Sequence, residues 1–365
     1  MPNTVRRFRS SVTVGARRRL SFGRSRAFRL ALAAACLGGG VLALGASGTA
    51  GASPAALTLY SGQHVQTTQA LVNAFEKKTG IKVNVRFDDE DVLADQIVAE
   101  GGHSPADVFF TENSPALQYL SSKHMLAPLS KSTLAETPAK YDSPNGQWLG
   151  VSARVSVMVY NTNLLKPSQL PTSAMQLSQP QWKGKIALAE GETDFQPIVT
   201  SVARTHGNAA ALKWLDGLKA NATSHLYPDN ETITSEVNSG QVALGIINQY
   251  YWYRLRAEDG ASKMHSAIAS FAPHDVGYVI DVSGAAVLRS SSHAAEAQKL
   301  VAFLGSAQGQ QIIAHSDSFE YPIGSHVTTV QPETPFSQLQ PNSITIAQLG
   351  TGANAIKLLQ EAQLL

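Results

Sequence analysis

Residues 57–87 decide the fold of this chain, and they read LTLYSGQHVQTTQALVNAFEKKTGIKVNVRF. A short β-prone run at residues 57–60 leads into a helical pattern over residues 65–79, which ends at Gly80. In residues 81–87 apolar and polar side chains then alternate. Alternation of this kind marks a half-buried strand, and glycine is common just past the end of a helix. The stretch therefore predicts a β–α–β unit.

The alternation of predicted strands and helices continues along the chain. The pattern predicts strands at residues 106–111, 154–161, 185–189, 242–248 and 284–288. It predicts helices at residues 91–100, 196–206, 209–219 and 293–304. Strands separated by helices of this length are typical of a parallel sheet covered on both faces, and the apolar run at 242–248 fits a strand buried on both sides. The chain is therefore expected to have an α/β fold.

Charge is distributed unevenly between the first 52 residues and the rest. The whole chain has 29 basic and 27 acidic residues, and residues 1–52 hold nine arginines and no acidic residue. The remainder therefore has 20 basic against 27 acidic side chains, a balance of −7. The basic character belongs to the leader, which argues against a body that binds nucleic acid.

The leader has the order of a secretory signal peptide. Arginine-rich residues 1–29 precede an apolar stretch at 30–46, and the small-residue pattern Ala50-Gly51-Ala52 follows. The apolar stretch is shorter than the ~20 residues of a spanning helix, so we expect an exported protein in the periplasm or at the cell surface. Export by the Sec or the twin-arginine route stays open, as does lipidation at Cys36, the single cysteine. Cleavage after Ala52 leaves no cysteine for a disulfide or a thiol-bound metal.

Four side chains with metal-binding chemistry follow predicted strands: His64, Glu112, Tyr250 and Tyr251. In open α/β sheets ligands bind beyond the carboxyl ends of the strands. Phenols suit neither Zn²⁺ nor Ca²⁺, whereas a strongly acidic cation such as Fe³⁺ displaces the phenol proton. One carboxylate and two phenolates supply −3 against +3, with the imidazole neutral. The hydrolase, P-loop, zinc-protease and dinucleotide motifs are absent from the sequence, which argues against an enzyme.

Each of these residues also has an ordinary structural explanation. The imidazole of His64 could donate a hydrogen bond at a helix start, and Glu112 could cap the helix predicted from Ser114. The run Tyr250-Tyr251-Trp252-Tyr253 could form an aromatic wall for packing or for an organic ligand. Adjacent helical residues point ~100° apart, so the two phenols need not face one ion.

Several segments resemble the bacterial ferric-ion-binding proteins of ABC transporters. The segments that carry this resemblance are residues 59–64 (LYSGQH), 79–83 (TGIKV), 104–112 (SPADVFFTE), 246–252 (IINQYYW), 283–288 (SGAAVL) and 320–322 (EYP). They span the chain from Leu57 to the C-terminal helix. The resemblance implies a non-enzymatic, monomeric receptor that binds Fe(III) through His64, Glu112, Tyr250 and Tyr251 and delivers it to an ABC permease.

The resemblance also implies a two-lobed periplasmic-binding-protein fold of type II, with two doubly wound domains. Residues 53–155 and 279–325 would form the first lobe, and residues 156–278 and 326–365 the second. The chain would cross between them near residues 153–157 and 276–280. An ion held by both lobes would favour the closed form.

One segment departs from the family pattern. Relatives often complete the iron shell with a bound anion such as phosphate or carbonate, and Asn230 and Asn248 match their asparagine positions. The matching helix start contains Glu192, Thr193 and Asp194, and the carboxylates of Glu192 and Asp194 would repel phosphate. Glu192 or Asp194 could replace the anion, the bound anion could be a different one, or Thr193 or Asp194 could cap the helix at Gln196. A binding protein for a phosphonate, a sugar phosphate or a thiamine-like molecule remains the alternative, because a fold does not fix its ligand.

Overall fold

The computed structural model describes residues 56–324, 327 and 334–365. By its internal contacts the chain divides after Gly51, and all described residues belong to the second unit, Ala52–Leu365. The predicted signal peptide, with Cys36, lies outside the described residues. Within the described ranges no helix is long and apolar enough to cross a membrane.

The strands form one connected order across the molecule. They are β1 (Leu57–Ser61), β2 (Val83–Phe87), β3 (Val108–Thr111), β4 (Trp148–Asn161), β5 (Ile186–Ala187), β6 (Leu244–Asn248), β7 (Ser266–Ala269), β8 (Ile280–Val287) and β9 (Tyr321–Pro322). Their order is β2-β1-β3-β8-β4-β6-β5, and β7 and β9 also pair with β4.

Helices cover both sides of these strands. They are α1 (Val65–Thr79), α2 (Glu90–Glu100), α3 (Ser114–Ser122), α4 (Lys131–Leu134), α5 (Gln196–His206), α6 (Asn208–Ala222), α7 (Asn230–Ser239), α8 (Gln249–Asp259), α9 (Ala294–Gly305), α10 (Ala307–Ala314), α11 (Ile346–Leu349) and α12 (Ala353–Glu361). In β3, Phe109 belongs to the apolar cluster that contains Leu117 of α3, and Phe110 belongs to the one that contains Phe75 of α1. The sheet is thus buried on both faces, as the sequence predicts.

The long strand β4 belongs to two sheets in turn. Its first half pairs with β8 as far as Val155, opposite Ile280. From Ser156 onward it pairs with β6, and further along with β7 as well. The strand is buried throughout its length. One continuous segment therefore leaves the sheet built on β1 and enters the sheet built on β6.

The first β–α–β unit forms where the sequence predicts it. Helix α1 ends at Gly80, whose φ of 75° is the left-handed conformation that glycine adopts without strain. Strands β1, β2 and β3 are parallel. The expectation of a wholly parallel sheet is wrong, because β8 runs antiparallel to both β3 and β4. This strand re-enters the first sheet from the opposite direction after the chain has built the second one, and strand–helix alternation does not reveal such a reversal.

Candidate metal site

The four predicted side chains meet at the ends of three strands. His64 follows β1 and immediately precedes α1, and Glu112 follows β3. Tyr250 and Tyr251 lie in the first turn of α8, directly after β6. Since these strands come from both sheets, the fold brings the four residues together from distant parts of the chain.

The two phenols share one acceptor. Tyr250 donates to Asp194 Oδ2 at 3.1 Å, and Tyr251 donates to the same oxygen at 2.9 Å. Their ring centroids are 4.1 Å apart, and both residues are buried. Burial raises the pKa of each phenol well above its ordinary value, and the neighbouring carboxylates of Asp194 and Glu112 raise it further. Although they are adjacent on a helix, the two phenols therefore converge on one point.

His64 and Glu112 form a close pair beside the phenols. The distance from His64 Nδ1 to Glu112 Oε1 is 3.0 Å, and the imidazole meets the Tyr250 ring edge to face at 5.0 Å. Burial alone lowers the pKa of His64, but Glu112 raises it to a net value above the ordinary one. The Nε2 atom of His64 is buried and has no hydrogen-bond partner among the described residues. One ring nitrogen is thus oriented by a carboxylate while the other is available to a ligand.

An arginine that the sequence analysis did not single out holds the carboxylates together. Arg154 Nη1 lies 3.0 Å from Glu112 Oε2 and 3.3 Å from Asp194 Oδ1, and Nη2 donates to Glu320. Burial by itself lowers the pKa of this guanidinium, but Glu320, Tyr250, Glu112 and Asp194 raise it well above the usual value. A single charged residue inside the apolar strand β4 was the signal that could have revealed it.

Burial raises the pKa of the Glu112 carboxyl, but the attraction of His64 and Arg154 outweighs burial and holds this pKa well below its ordinary value. Both carboxylate oxygens of Glu112 have partners. Oε1 lies beside His64, and Oε2 lies beside Arg154 and also accepts a hydrogen bond from Tyr250 at 3.4 Å. Glu112 does not cap α3, whose N-cap is Asn113 without a side-chain capping bond. The capping explanation of this glutamate is therefore wrong.

The residues around the start of α5 have different surroundings in the structure. Asp194 is buried in the site, and Asn113 and Asn230 donate to it at 3.1 and 3.4 Å. Thr193 lies beside the same asparagine, and its hydroxyl accepts a hydrogen bond from Asn113 at 3.2 Å. The N-cap of α5 is Phe195, with no side-chain capping bond, so Asp194 does not serve as that cap. Asn248 is buried at the N-cap of α8, outside the hydrogen bonds around Asp194.

Glu192 faces an acidic cavity next to the phenols. The cavity has a volume of about 330 Å³, and its lining includes His64, Asp89, Glu112, Glu192, Glu231 and Tyr251. Burial, and then the charges of Asp194 and Glu231, raise the pKa of Glu192 to about 8. No lysine or arginine is among the described residues that line this cavity. The approach to the site therefore favours a cation.

The donor set suits a hard trivalent cation. Among the described residues, histidine, cysteine and acidic side chains alone form no group of three or more arranged for a metal ion. Any metal site at this place therefore depends on the phenols, whose anionic oxygens bind strongly acidic cations. The orphaned Nε2 atom of His64 and the convergence of two phenols fit such an ion.

Comparisons with known proteins agree with this chemistry. A family model described as bacterial extracellular solute-binding protein matches residues 61–311. The Fe(3+)-binding periplasmic protein of Serratia marcescens is 36% identical over 325 residues, which cover 89% of this chain and 95% of that protein. The major ferric iron-binding protein of Neisseria meningitidis is 37% identical over 324 residues, 88% of this chain and 97% of that protein. The crystal structure of iron-bound HitA from Pseudomonas aeruginosa matches with a TM-score of 0.81 and 40% identity, over 85% of this chain and 99% of that one.

Proposed function

Because the chain belongs to the family of bacterial extracellular solute-binding proteins, we propose that it is an exported receptor that captures ferric iron and passes it to an ABC permease. It has the two-lobed type II periplasmic-binding-protein fold. The similar proteins from Serratia, Neisseria and Pseudomonas carry iron in their names or titles, which supports iron over a phosphonate, a sugar phosphate or a thiamine-like molecule. The receptor binds its cargo stoichiometrically and does not turn it over.

The observation that carries this proposal is the convergence of Tyr250 and Tyr251 on one carboxylate oxygen beside His64 and Glu112. Each phenol loses its proton when it binds Fe³⁺, and the resulting phenolates are hard anionic donors. The buried, unpaired Nε2 of His64 is available as a neutral donor. We propose these four side chains as protein ligands to the ion.

We place the two lobes and their hinge as the sequence predicts. Residues 53–155 and 279–325 form the first lobe, with His64 and Glu112, and residues 156–278 and 326–365 form the second, with both phenols. The change of partner in β4 between Val155 and Ser156 supports the first crossing. An ion that contacts both lobes binds the closed arrangement more strongly, and that difference in affinity drives closure.

We propose that the permease recognises the closed shape and that the receptor acts as a monomer. Export follows from the signal peptide predicted at residues 1–52 and from the periplasmic relatives. A lipid anchor at Cys36 would tie the receptor to the membrane surface. A Cys36→Ala variant whose leader is still removed but which stays membrane-associated to the same extent as the wild type would refute this anchor.

A visible absorption titration tests the proposed function. The purified mature chain is stripped of metal and titrated with a ferric chelate. We expect a broad phenolate-to-iron charge-transfer band that saturates at one equivalent of iron. Tyr250→Phe and Tyr251→Phe should each weaken this band and the affinity sharply, whereas Tyr160→Phe, at a buried tyrosine outside the site, should change neither.

Two outcomes would contradict the proposal. Folded wild-type protein that retains no iron and shows no colour would refute the ferric function, and a thermal-shift screen of the organic ligands would follow. Phenylalanine variants that bind iron as tightly as the wild type would refute the role of the phenols. Circular dichroism of each variant separates a loss of binding from a loss of folding.

A further inference from the structure

A second cavity lies between helices α2, α3 and α12. Its volume is about 290 Å³, at the small end of the roughly 300–1,000 Å³ that ligand pockets occupy. It adjoins the acidic cavity beside the phenols, with which it shares Glu90, Asp91 and Thr193. None of the four proposed iron ligands is among its described lining residues. Part of that lining is apolar and consists of Ala94, Pro115, Ala116, Ala353 and Ile356.

The polar part of this cavity is acidic and has no counter-charge. Glu90, Asp91 and Asp95 of α2 line it, and no lysine or arginine is among its described lining residues. Within the part of the chain that the structure describes, no ion pair includes any of the three carboxylates. Acidic residues in a first turn stabilise a helix, which accounts for Asp91 but not for a glutamate inside the protein.

Glu90 is a buried carboxyl group without a cation. It is 5% exposed, and among the described residues it accepts hydrogen bonds from Thr111 and Asn113 alone. Burial outweighs these hydrogen bonds and raises the pKa of Glu90 to about 7. A cation that reached this carboxylate would offset the cost of keeping it charged inside the protein.

Asn113 supplies a second acceptor that nothing in the described chain uses. It lines the same cavity and is 1% exposed. Its Nδ2 atom donates to Glu90, Thr193 and Asp194 at 3.0, 3.2 and 3.1 Å. Its Oδ1 atom is buried and has no hydrogen-bond partner among the described residues. Since a buried amide oxygen without a donor is costly, this atom indicates a donor that comes from outside the chain.

We propose that this cavity binds a small organic cation, an alkylammonium ion, which donates to Glu90 and Asn113 and packs its alkyl chain against α3 and α12. An ammonium group has three donors and no acceptor, so it matches a carboxylate beside an amide oxygen. The apolar lining suits an alkyl chain better than the water shell of a metal ion. Moreover, histidine, cysteine and acidic side chains of the described residues form no group of three or more arranged for a metal ion.

The same cavity connects the two proposed lobes. Asn113, α2 and α3 belong to the first lobe of the proposed division, whereas Thr193, Gln196 and α12 belong to the second. A Cβ atom on Gly352, just before α12, would lie 3.6 Å from Cβ of Pro115 in α3. An ammonium ion that contacts both lobes would bind the closed arrangement more strongly, as iron would. Coupling between two ligands is reciprocal, so each should raise the affinity for the other.

The coupling rests on the proposed function and its hinge, whereas binding of the ammonium ion does not. The probe is butylammonium chloride, and butan-1-ol is the control ligand with the same chain and no charge. Both are titrated into metal-free, ¹⁵N-labelled protein in an amine-free buffer slightly above neutral pH, where Glu90 is ionised and the amine keeps its proton. Amide chemical shifts locate the site and give the affinity.

Three variants test the acidic lining. Glu90→Gln removes the buried charge, and Asp95→Asn removes an exposed charge at a position where misfolding is not expected. Asp216→Asn, at an exposed aspartate of α6 outside the cavity, is the matched control. For the coupling, the wild type is titrated again after it has been loaded with gallium(III), a diamagnetic trivalent cation that replaces iron in the resonance experiment.

We expect saturable binding of one butylammonium ion, with shift changes at residues 90–95, 113–119 and 353–356, and no saturable binding of butan-1-ol. Glu90→Gln should weaken binding at least ~10-fold, the lower end for a hydrogen bond to a charged group. Asp95→Asn should weaken it ~2- to 5-fold, as for an exposed pair, and Asp216→Asn should bind as the wild type does. The gallium-loaded protein should bind butylammonium more tightly than the metal-free one.

Four results would contradict these expectations, each at a different step. No saturable shift changes around the cavity, or equal affinities for butylammonium and butan-1-ol, would overturn the ammonium site and leave the ferric function intact. Undiminished binding in both Glu90→Gln and Asp95→Asn would also overturn it. Equal affinity with and without gallium(III) would refute the coupling alone. Wild-type protein that binds butylammonium but no iron in the absorption titration would refute the proposed function alone. The two ligands are compared on the wild type, so the result does not depend on the folding of Glu90→Gln.

Discussion

Replacing Arg154 with methionine should destabilise the metal-free protein strongly at neutral pH. Arg154 is 0% exposed, and its guanidinium lies against Glu112, Asp194 and Glu320. Methionine fills a similar volume, so the cavity cost is small. Removing one partner of a buried ion pair costs about 3–5 kcal/mol, because the other charge is left uncompensated. With three carboxylates left behind, we expect a loss near 5 kcal/mol in the free energy of unfolding.

Urea unfolding of the metal-free chain, followed by the fluorescence of buried Trp148 and Trp214, measures this loss. The matched control is Lys82→Met, because Lys82 pairs with Glu76 at 2.8 Å on the surface, where its side chain is 70% exposed. Exposed pairs contribute about 0–1 kcal/mol, so the control should be nearly neutral.

The dependence of the loss on pH tests its cause. At pH values low enough to protonate the three carboxylates left without Arg154, the loss of unfolding free energy in Arg154→Met should become smaller, since neutral carboxyl groups need no counter-charge. A loss below about 1 kcal/mol at neutral pH would contradict the reasoning. So would a large loss that stays the same in acid, because it would indicate packing and not charge.

Three further perturbations have outcomes that follow from the structure. Burial raises the pKa of Asp142 from 3.8 to about 6, so the folded chain keeps a proton that the unfolded chain loses between these values. The contribution of Asp142 to the free energy of unfolding therefore falls as pH rises from about 4 to about 6, by about 3 kcal/mol at most. Asp142→Asn should remove this part of the pH dependence, as measured by urea unfolding at a series of pH values. Gly62→Ala should cost about 1–3 kcal/mol in thermal unfolding, because a Cβ there would lie 2.8 Å from the Glu90 backbone, whereas Gly102→Ala meets nothing within 4 Å. Iron binding should release two phenol protons, so the apparent affinity for iron should rise roughly 100-fold per pH unit near neutrality. Calorimetric titrations in buffers of different ionisation heat measure this proton release. A titration that finds none would contradict the prediction.

Local structure was largely predictable from the sequence, because periodicity and end signals act over short distances. The bounds of α1 and α5 agree with the pattern residue for residue. Strand ends agree less well: β4 begins at Trp148, six residues before its predicted start, and the predicted strand at 185–189 is paired as a strand only at Ile186–Ala187. Strand pairing depends on partners elsewhere in the chain, and local patterns do not contain that information.

The convergence of the four side chains was predictable, whereas the charges around them were not. Each of these residues follows a predicted strand in the sequence, and this was enough to predict that His64, Glu112 and the two phenols lie together. The simple balance of −3 against +3 omitted Arg154, Asp194 and Glu320. These three residues belong to separate segments, and only the folded chain shows that their charges face one another.

Arg154 explains how the carboxylates of Glu112 and Asp194 can lie close together without driving each other apart. In the proposed division of the chain, Arg154 shares a lobe with Glu112 and Glu320, whereas Asp194 belongs to the lobe of the phenols. Arg154 also stands directly before the point where β4 changes its partners. Separation of these proposed lobes would take Asp194 away from the guanidinium and leave the phenol-bearing lobe with an uncompensated carboxylate. In this proposed movement, closure would restore the ion pair and bring Glu112 to the metal, so the attraction of Arg154 for Asp194 and the attraction of iron for both lobes would favour the same change. If the lobes move as proposed, the contact from Arg154 to Asp194 is part of the free-energy difference that selects the closed form.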